Sequence, residues 1–138
     1  MNKTIFLEVA LLMAVLGGCK KDNSVNSPVT NLPVVANTLN AFSFELSATS
    51  YTGTQQYTLS FSTDTLACSL TIVGQTAGSG SLTIADSNYA TVYADSILSN
   101  QVVAFTQSGK GIPKRISLAF NGYTGTITLA LSRGSSSK

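Results

Sequence analysis

The stretch Leu66-Ala67-Cys68-Ser69-Leu70-Thr71-Ile72 indicates the fold class, because large apolar residues alternate with small or polar residues at every step. Successive side chains of a β-strand point to opposite faces, so this alternation predicts a strand with one buried face and one solvated face. The same pattern recurs before and after this stretch. The further segments that carry it are 42–48, 57–61, 82–84, 90–94, 102–106, 115–120 and 126–132.

These segments predict an all-β domain, since none of them has the 3.6-residue period of a helix. Strands with one solvated face are typical of antiparallel sheets. Two such sheets bury their apolar faces against each other, so we expect an antiparallel β-sandwich of about eight strands, immunoglobulin-like or jelly-roll-like. A closed barrel is the alternative architecture. Glycines predict loops between strands at 74–81 and 108–113.

A four-residue repeat occurs at Tyr51-Thr52-Gly53-Thr54 and again at Tyr123-Thr124-Gly125-Thr126. One interpretation is a duplicated ligand loop in which Tyr51 and Tyr123 are exposed and bind a ligand. The other interpretation is a pair of hairpin turns, in which glycine supplies a positive φ and each tyrosine packs at a strand end. A short match arises easily in a chain rich in Thr and Gly, which favours the turns.

The domain carries little charge, and its basic and acidic residues balance. Residues 41–133 contain four of each: Lys110, Lys114, Arg115 and Arg133 against Glu45, Asp64, Asp86 and Asp95. A neutral domain lacks the basic surface that binds phosphate backbones, so we expect no nucleic-acid partner.

The residue types needed for common catalytic and metal sites are missing or dispersed. The chain has no histidine, which excludes a Ser-His-Asp triad and a histidine metal cluster. The four carboxylates of the domain follow no spacing that selects an acid–base pair. Asp86, Asn88 and Asp95 do not have the spacing of a calcium loop, and Asp-Ser-Asn is ordinary turn chemistry. We therefore predict no catalytic residue, no bound metal and no cofactor.

The amino-terminal end combines Lys3, an apolar run from Val9 to Leu16, and the sequence Leu16-Gly17-Gly18-Cys19. The run is far shorter than the roughly 20 residues that a transmembrane helix needs. This arrangement resembles the signal peptide of bacterial lipoproteins, and the Cys-Lys-Lys-Asp start resembles the Bacteroidetes type. The resemblance implies that lipid on Cys19 anchors the protein to the cell envelope. Lys20, in place of an Asp after the cysteine, favours the outer membrane, on its periplasmic or its exposed face.

The chain accordingly divides into four parts. We expect a signal peptide at 1–18, a lipidated amino terminus and flexible tether at 19–40, the β-sandwich at 41–133 and a disordered tail at 134–138. Cys68 lies on the apolar side of its alternating stretch, and it has no intramolecular disulfide partner once Cys19 is lipidated. We predict that Cys68 is a buried thiol.

These observations favour a non-catalytic, lipid-anchored binding module with a glycan or a partner protein as its ligand. Recognition residues lie disproportionately on loops that a rigid scaffold positions. The candidate loops are 51–56, 74–81, 86–89 and 108–114, and a carbohydrate platform would draw on Tyr51, Tyr89, Tyr93 and Tyr123. The alternatives are a hydrolase that uses the scattered carboxylates and a structural or adhesin-like surface component.

Overall fold

A computed structural model of the protein describes residues 30–135, which form six β-strands and no helix. The strands are β1 (Val34–Thr38), β2 (Ala41–Thr58), β3 (Leu66–Ala85), β4 (Thr91–Ile97), β5 (Gln101–Gln107) and β6 (Arg115–Arg133). Within 30–135, therefore, no helix could span a membrane. The predicted signal peptide, Cys19, the first part of the predicted tether and residues 136–138 lie outside the described residues.

All strands belong to one antiparallel sheet with the order β1-β2-β6-β3-β4, and β5 also pairs with β3. β6 borders one side of β3 along nearly its whole length. On the other side, β5 pairs with Leu66–Ile72 and β4 pairs with Gly80–Ala85. β4 and β5 thus behave as one long strand that is interrupted at residues 98–100.

The predicted all-β, antiparallel fold is confirmed, but the predicted strand number is wrong. Three pairs of predicted segments merge into the single strands β2, β3 and β6, which turns eight predicted strands into five, and β1 brings the sheet to six. The predicted loop at 74–81 lies inside β3, and the repeat at 51–54 lies inside β2. β1 was not predicted, and it occupies the last part of the expected tether.

The long strands fold back on themselves, which brings two halves of the sheet face to face. Phe42 and Tyr57 lie near opposite ends of β2, yet their ring centroids are 5.5 Å apart. A straight strand would hold these two residues roughly 50 Å apart. The ring of Phe44 likewise stacks on Phe120 of β6, with 6.4 Å between centroids. The single sheet therefore forms a sandwich-like arrangement with two layers.

We define the layers by the segments that pair within them. The first layer contains β1, 41–48 of β2, 66–73 of β3, β5 and 126–133 of β6, and the second contains 53–58 of β2, 79–85 of β3, β4 and 115–120 of β6. We call the bend between the layers the fold line. The hydrogen-bond register shifts there, between Ala48 and Gly53 of β2 and between Val73 and Ser79 of β3.

The two Tyr-Thr-Gly-Thr repeats form part of the fold line and pair with each other. Tyr51 lies directly opposite Tyr123 across β2 and β6. The Thr52 hydroxyl accepts a hydrogen bond from the Gly122 backbone N–H at 2.8 Å, and the Thr124 hydroxyl accepts one from the Ser50 N–H at 2.9 Å. The predicted hairpin turns are therefore wrong: the repeat makes two facing irregularities within continuous strands.

The core is a single cluster between the layers, built from the apolar positions of the alternating segments. The prediction for Cys68 is confirmed, because its side chain is free and only 4% exposed. Burial, with a smaller contribution from the negative charge of Asp95, raises the pKa of the Cys68 thiol to about 11. The thiol thus behaves as a small apolar side chain at neutral pH.

The end of the domain opposite the fold line carries the loops 59–65, 86–90 and 108–114, and we call it the loop end. Backbone hydrogen bonds hold the loop 108–114 in place: Leu59 N–H donates to Lys114 O at 2.8 Å, and Lys114 N–H donates at 2.9 Å to the O atom of Ala85, the last residue of β3. The chain enters the domain at the other end, where Asn31 N–H donates to Ser47 O at 2.8 Å.

Candidate functional site

The two tyrosines that the sequence analysis offered as ligand residues do not form an exposed pair. Tyr123 is 0% exposed. Tyr51 is half-buried with its ring against Phe120, 5.7 Å between centroids, and its hydroxyl accepts a hydrogen bond from the Gln55 amide at 2.7 Å. Both side chains pack inside the domain at the fold line, because the bend of the sheet turns the face of β2 and β6 that carries them inward. The interpretation of the repeat as a ligand loop with two exposed tyrosines is therefore corrected.

Two of the four predicted recognition loops are loops in the structure. Segments 51–56 and 74–81 are strand residues, whereas 86–89 and 108–114 lie side by side at the loop end. The two loops are in close contact, since a Cβ added at Gly111 would lie 3.2 Å from an oxygen of the Asp86 carboxylate. The loop end is therefore where a candidate site is built.

Asp86 shapes the loop between β3 and β4. Its carboxylate accepts hydrogen bonds from the N–H groups of Asn88, at 2.8 Å, and Ala90, at 2.9 Å. The loop places Tyr89 at a φ of +63°, in the left-handed region, which costs a non-glycine residue about 1–2 kcal/mol. Tyr89 is 70% exposed in this conformation. The turn thus holds an aromatic ring out into solvent at a cost in backbone energy.

Arg115, the first residue of β6, supports the Tyr89 ring. The central carbon of its guanidinium lies 4.1 Å from the ring centroid, a cation–π contact. One guanidinium nitrogen also donates a hydrogen bond to the Tyr89 hydroxyl at 2.6 Å. The two contacts orient the ring, while further guanidinium donors remain for a ligand.

Below this pair, the outer face of the second layer forms an open concave surface of about 470 Å³. We call it the Tyr89 surface, and it is lined by Gln56, Tyr57, Thr58, Thr83, Ala85, Tyr89, Arg115, Ile116 and Ser117. The strand register explains its composition. Gln56, Ser117 and Thr83 are partners across three neighbouring strands, and Thr58, Arg115 and Ala85 form the next row toward the loop end. The surface presents hydroxyl, amide and guanidinium groups, and its lining contains two tyrosines, Tyr57 and the exposed Tyr89, but no carboxylate.

Three of the four carboxylates of the domain have structural hydrogen bonds. Asp64 accepts a bond from Gly109 N–H at 3.1 Å, and Asp86 shapes the loop described above. Asp95 accepts a bond from the Tyr93 hydroxyl at 3.0 Å. Burial raises the pKa of Tyr93, and this hydrogen bond and the negative charge of Asp95 raise it further. No group of three potential metal-ligating side chains occurs in residues 30–135.

No protein-family model and no curated protein matches the chain. The function is therefore inferred from the chemistry of the Tyr89 surface. Sequence reasoning included Tyr89 among four tyrosines for a carbohydrate platform, but it did not select it and it missed Arg115. The available signal was the Asp-Ser-Asn sequence directly before Tyr89, since an Asp side chain at a turn accepts a hydrogen bond from the backbone two residues on.

Proposed function

We propose that the protein is a lipid-anchored, non-catalytic module of the bacterial envelope that binds a saccharide at the Tyr89 surface. The observation that carries the proposal is the exposed, backbone-strained Tyr89 held against Arg115. Strain of this kind persists where the surrounding structure holds it, and it is common at ligand sites.

The chemistry of the surface suits a sugar ring. The apolar face of a pyranose can stack on the Tyr89 ring, while its hydroxyls pair with the side chains of Gln56, Thr83 and Ser117. The volume of about 470 Å³ lies within the range of roughly 300–1,000 Å³ typical of small-ligand sites. Binding sites of this type combine an apolar contact with a few fixed polar groups.

The position of the surface is compatible with an anchor on Cys19. The chain enters the domain at the fold-line end, where Asn31 bonds Ser47, whereas Tyr89 lies at the loop end. A lipidated tether would reach the domain from the end opposite the binding surface, which leaves the surface open to a ligand. Several acyl chains on the amino-terminal cysteine would hold the protein at the membrane stably.

The saccharide proposal is tested with the full chain purified in detergent and applied to an array of bacterial and host glycans, followed by calorimetry with the strongest ligand. Tyr89→Gly should reduce affinity at least about tenfold, because the stacking ring is lost while glycine tolerates the positive φ. Leu98→Ala is the matched control, since Leu98 is an exposed apolar residue, at 68% exposure, near the fold line. This variant should bind as the parent protein does.

Several outcomes would contradict the proposal. They are a folded protein that binds no glycan, glycan binding that survives Tyr89→Gly, and hydrolysis of the glycan that depends on one of the four carboxylates.

Lipid anchoring is tested separately, by fractionating the cells that produce the protein. Cys19→Ala should shift the protein out of the membrane fraction if Cys19 carries the lipid.

A further inference from the structure

The sheet has unpaired strand edges, and one of them is built differently from the others. Within residues 30–135, β5 pairs only with β3, so its outer edge is open along Gln101–Gln107. An open edge exposes backbone N–H and C=O groups that can pair with another strand. Proteins usually protect such edges with charge, proline, bulges or covering side chains.

β4, the corresponding edge of the second layer, has several of these protections. The side-chain amide of Gln107 donates to Val92 O at 2.9 Å, and that of Gln101 donates to Ser96 O at 3.3 Å. The Asp95 carboxylate accepts a bond from Ser96 N–H at 2.8 Å and faces inward as a charged residue. The register of β4 on β3 also shifts at its start. These features hinder the addition of a further strand to β4.

The second half of β2 and the short strand β1 form the opposite edges of the two layers. The Asn37 amide donates to Thr58 O at 2.7 Å, which covers part of the β2 edge. β1 is only 5 residues long. Short length is itself a protection, because few hydrogen bonds can form along such an edge.

β5 lacks every one of these protections. Its sequence Gln-Val-Val-Ala-Phe-Thr-Gln contains no charge, proline or glycine, and its register on β3 is uninterrupted. Val102 is 74% exposed on the outer face. A regular, uncharged strand of this kind is a template for pairing.

The sequence of β5 is also complementary to itself when two copies run antiparallel about Ala104. Gln101 then faces Gln107, Val102 faces the similarly shaped Thr106, and Val103 faces Phe105. Pairs of β-branched residues and of aromatic with β-branched residues are favourable across antiparallel strands. We propose that β5 is a self-association edge, at which a second copy of this chain adds its own β5 in antiparallel order.

The pairing has a structural consequence for the rest of the molecule. The two-fold axis of an antiparallel strand pair runs perpendicular to the sheet, so both copies present the outer face of the second layer in the same direction. The dimer would carry two copies of the Tyr89 surface on one side. If that surface binds a saccharide, the dimer binds polymeric ligands with avidity, although the self-association itself does not depend on the saccharide proposal.

The test uses Ala104→Cys in the full chain, in membranes treated with a mild oxidant and analysed by non-reducing electrophoresis. Residue 104 meets its own symmetry mate in the proposed pairing, so a disulfide-linked dimer should form rapidly. Thr106→Cys is the matched control on the same face. Its symmetry mate lies about 13 Å away along the strand, beyond the limit of about 7 Å between Cα atoms for a disulfide.

A second variant tests the edge itself. Val102→Lys combined with Ala104→Cys should slow the cross-linking several-fold, because a lysine on an edge strand opposes pairing. Ser43→Lys, on the exposed face of β2 in the same layer, should leave the rate unchanged. Failure of Ala104→Cys to cross-link, equal cross-linking by Thr106→Cys, or insensitivity to Val102→Lys would each overturn the proposal.

Discussion

At the scale of single residues, the ionisation of Cys68 reflects the apolar environment of the core. Its partners on the same face are Leu66 and Leu70, and Phe105 lies opposite on β5. A thiolate in this surrounding would be poorly solvated, and the negative charge of Asp95 adds to the penalty. The thiol therefore stays protonated well above the pH at which an exposed cysteine ionises.

This environment predicts a loss of stability at high pH. The pKa of Cys68 is raised in the folded state to about 11 from about 9. Its contribution to the free energy of unfolding is therefore complete below about pH 9 and is lost as the pH rises toward 11, because the unfolded chain ionises first. Urea unfolding between pH 7 and pH 10.5 should show this decline, and Cys68→Ala, although less stable at neutral pH, should show a shallower one. Equal slopes for both proteins would contradict the assignment.

At the scale of single elements, β2, β3 and β6 differ from ordinary strands because each of them crosses the fold line. β3 crosses it through Gly74 and Gly78, which have φ values of +63° and +72°. The two glycines differ in their surroundings. A Cβ on Gly74 would meet nothing within 4 Å, whereas a Cβ on Gly78 would lie 2.3 Å from the backbone carbonyl of Gly122 on β6. The close approach of β3 and β6 at the bend therefore depends on Gly78.

Alanine substitutions at the two glycines separate the conformational cost of a Cβ at positive φ from the steric cost of a clash with β6. Gly74→Ala should reduce the free energy of unfolding by about 1–2 kcal/mol, the cost of a left-handed backbone for a residue with a Cβ. Gly78→Ala should cost clearly more, because the backbone of β6 must also move. Chemical denaturation of the two variants checks this order. If they are equally stable, β3 and β6 do not touch at this point.

At the scale of the whole molecule, each long strand contributes to both layers. β2, β3 and β6 run from one layer through the fold line into the other, so neither layer has its own set of strands. Phe120 illustrates the connection: its ring contacts Phe44 of the first layer and Tyr51 and Tyr123 at the fold line. We infer that the layers cannot unfold separately.

This connection predicts one cooperative transition, which two natural probes can follow. The chain has no tryptophan and 5 tyrosines, which lie in the second layer, its loop or the fold line, while Cys68 lies in the first layer. Tyrosine fluorescence and the labelling of Cys68 should therefore have the same urea midpoint. Phe120→Ala should lower both midpoints together, with a loss of about 3–5 kcal/mol. Separate midpoints would show that the layers unfold independently.

The sequence alone determined the alternating segments, their inward faces and the burial of Cys68. These features follow from period-two alternation, which is local and independent of what a strand pairs with. β1 escaped prediction because its Val-Val-Ala-Asn-Thr sequence lies close to Pro33 and Asn31, and its pairing with β2 outweighs their preference for coil.

The tertiary structure alone decided whether the chain turns or continues as one strand between two alternating segments. A Thr-Gly pair can either reverse the chain in a hairpin or lie at an irregularity in a continuous strand, and the sequence is the same in both cases. At 51–54 and 123–126 the choice was made by the reciprocal hydrogen bonds of Thr52 and Thr124 across two strands distant in sequence. The meeting of Tyr89 with Arg115 likewise depends on the register of β3 and β6. Sequence patterns record which face of a strand is buried, but only packing fixes which distant residues share a surface.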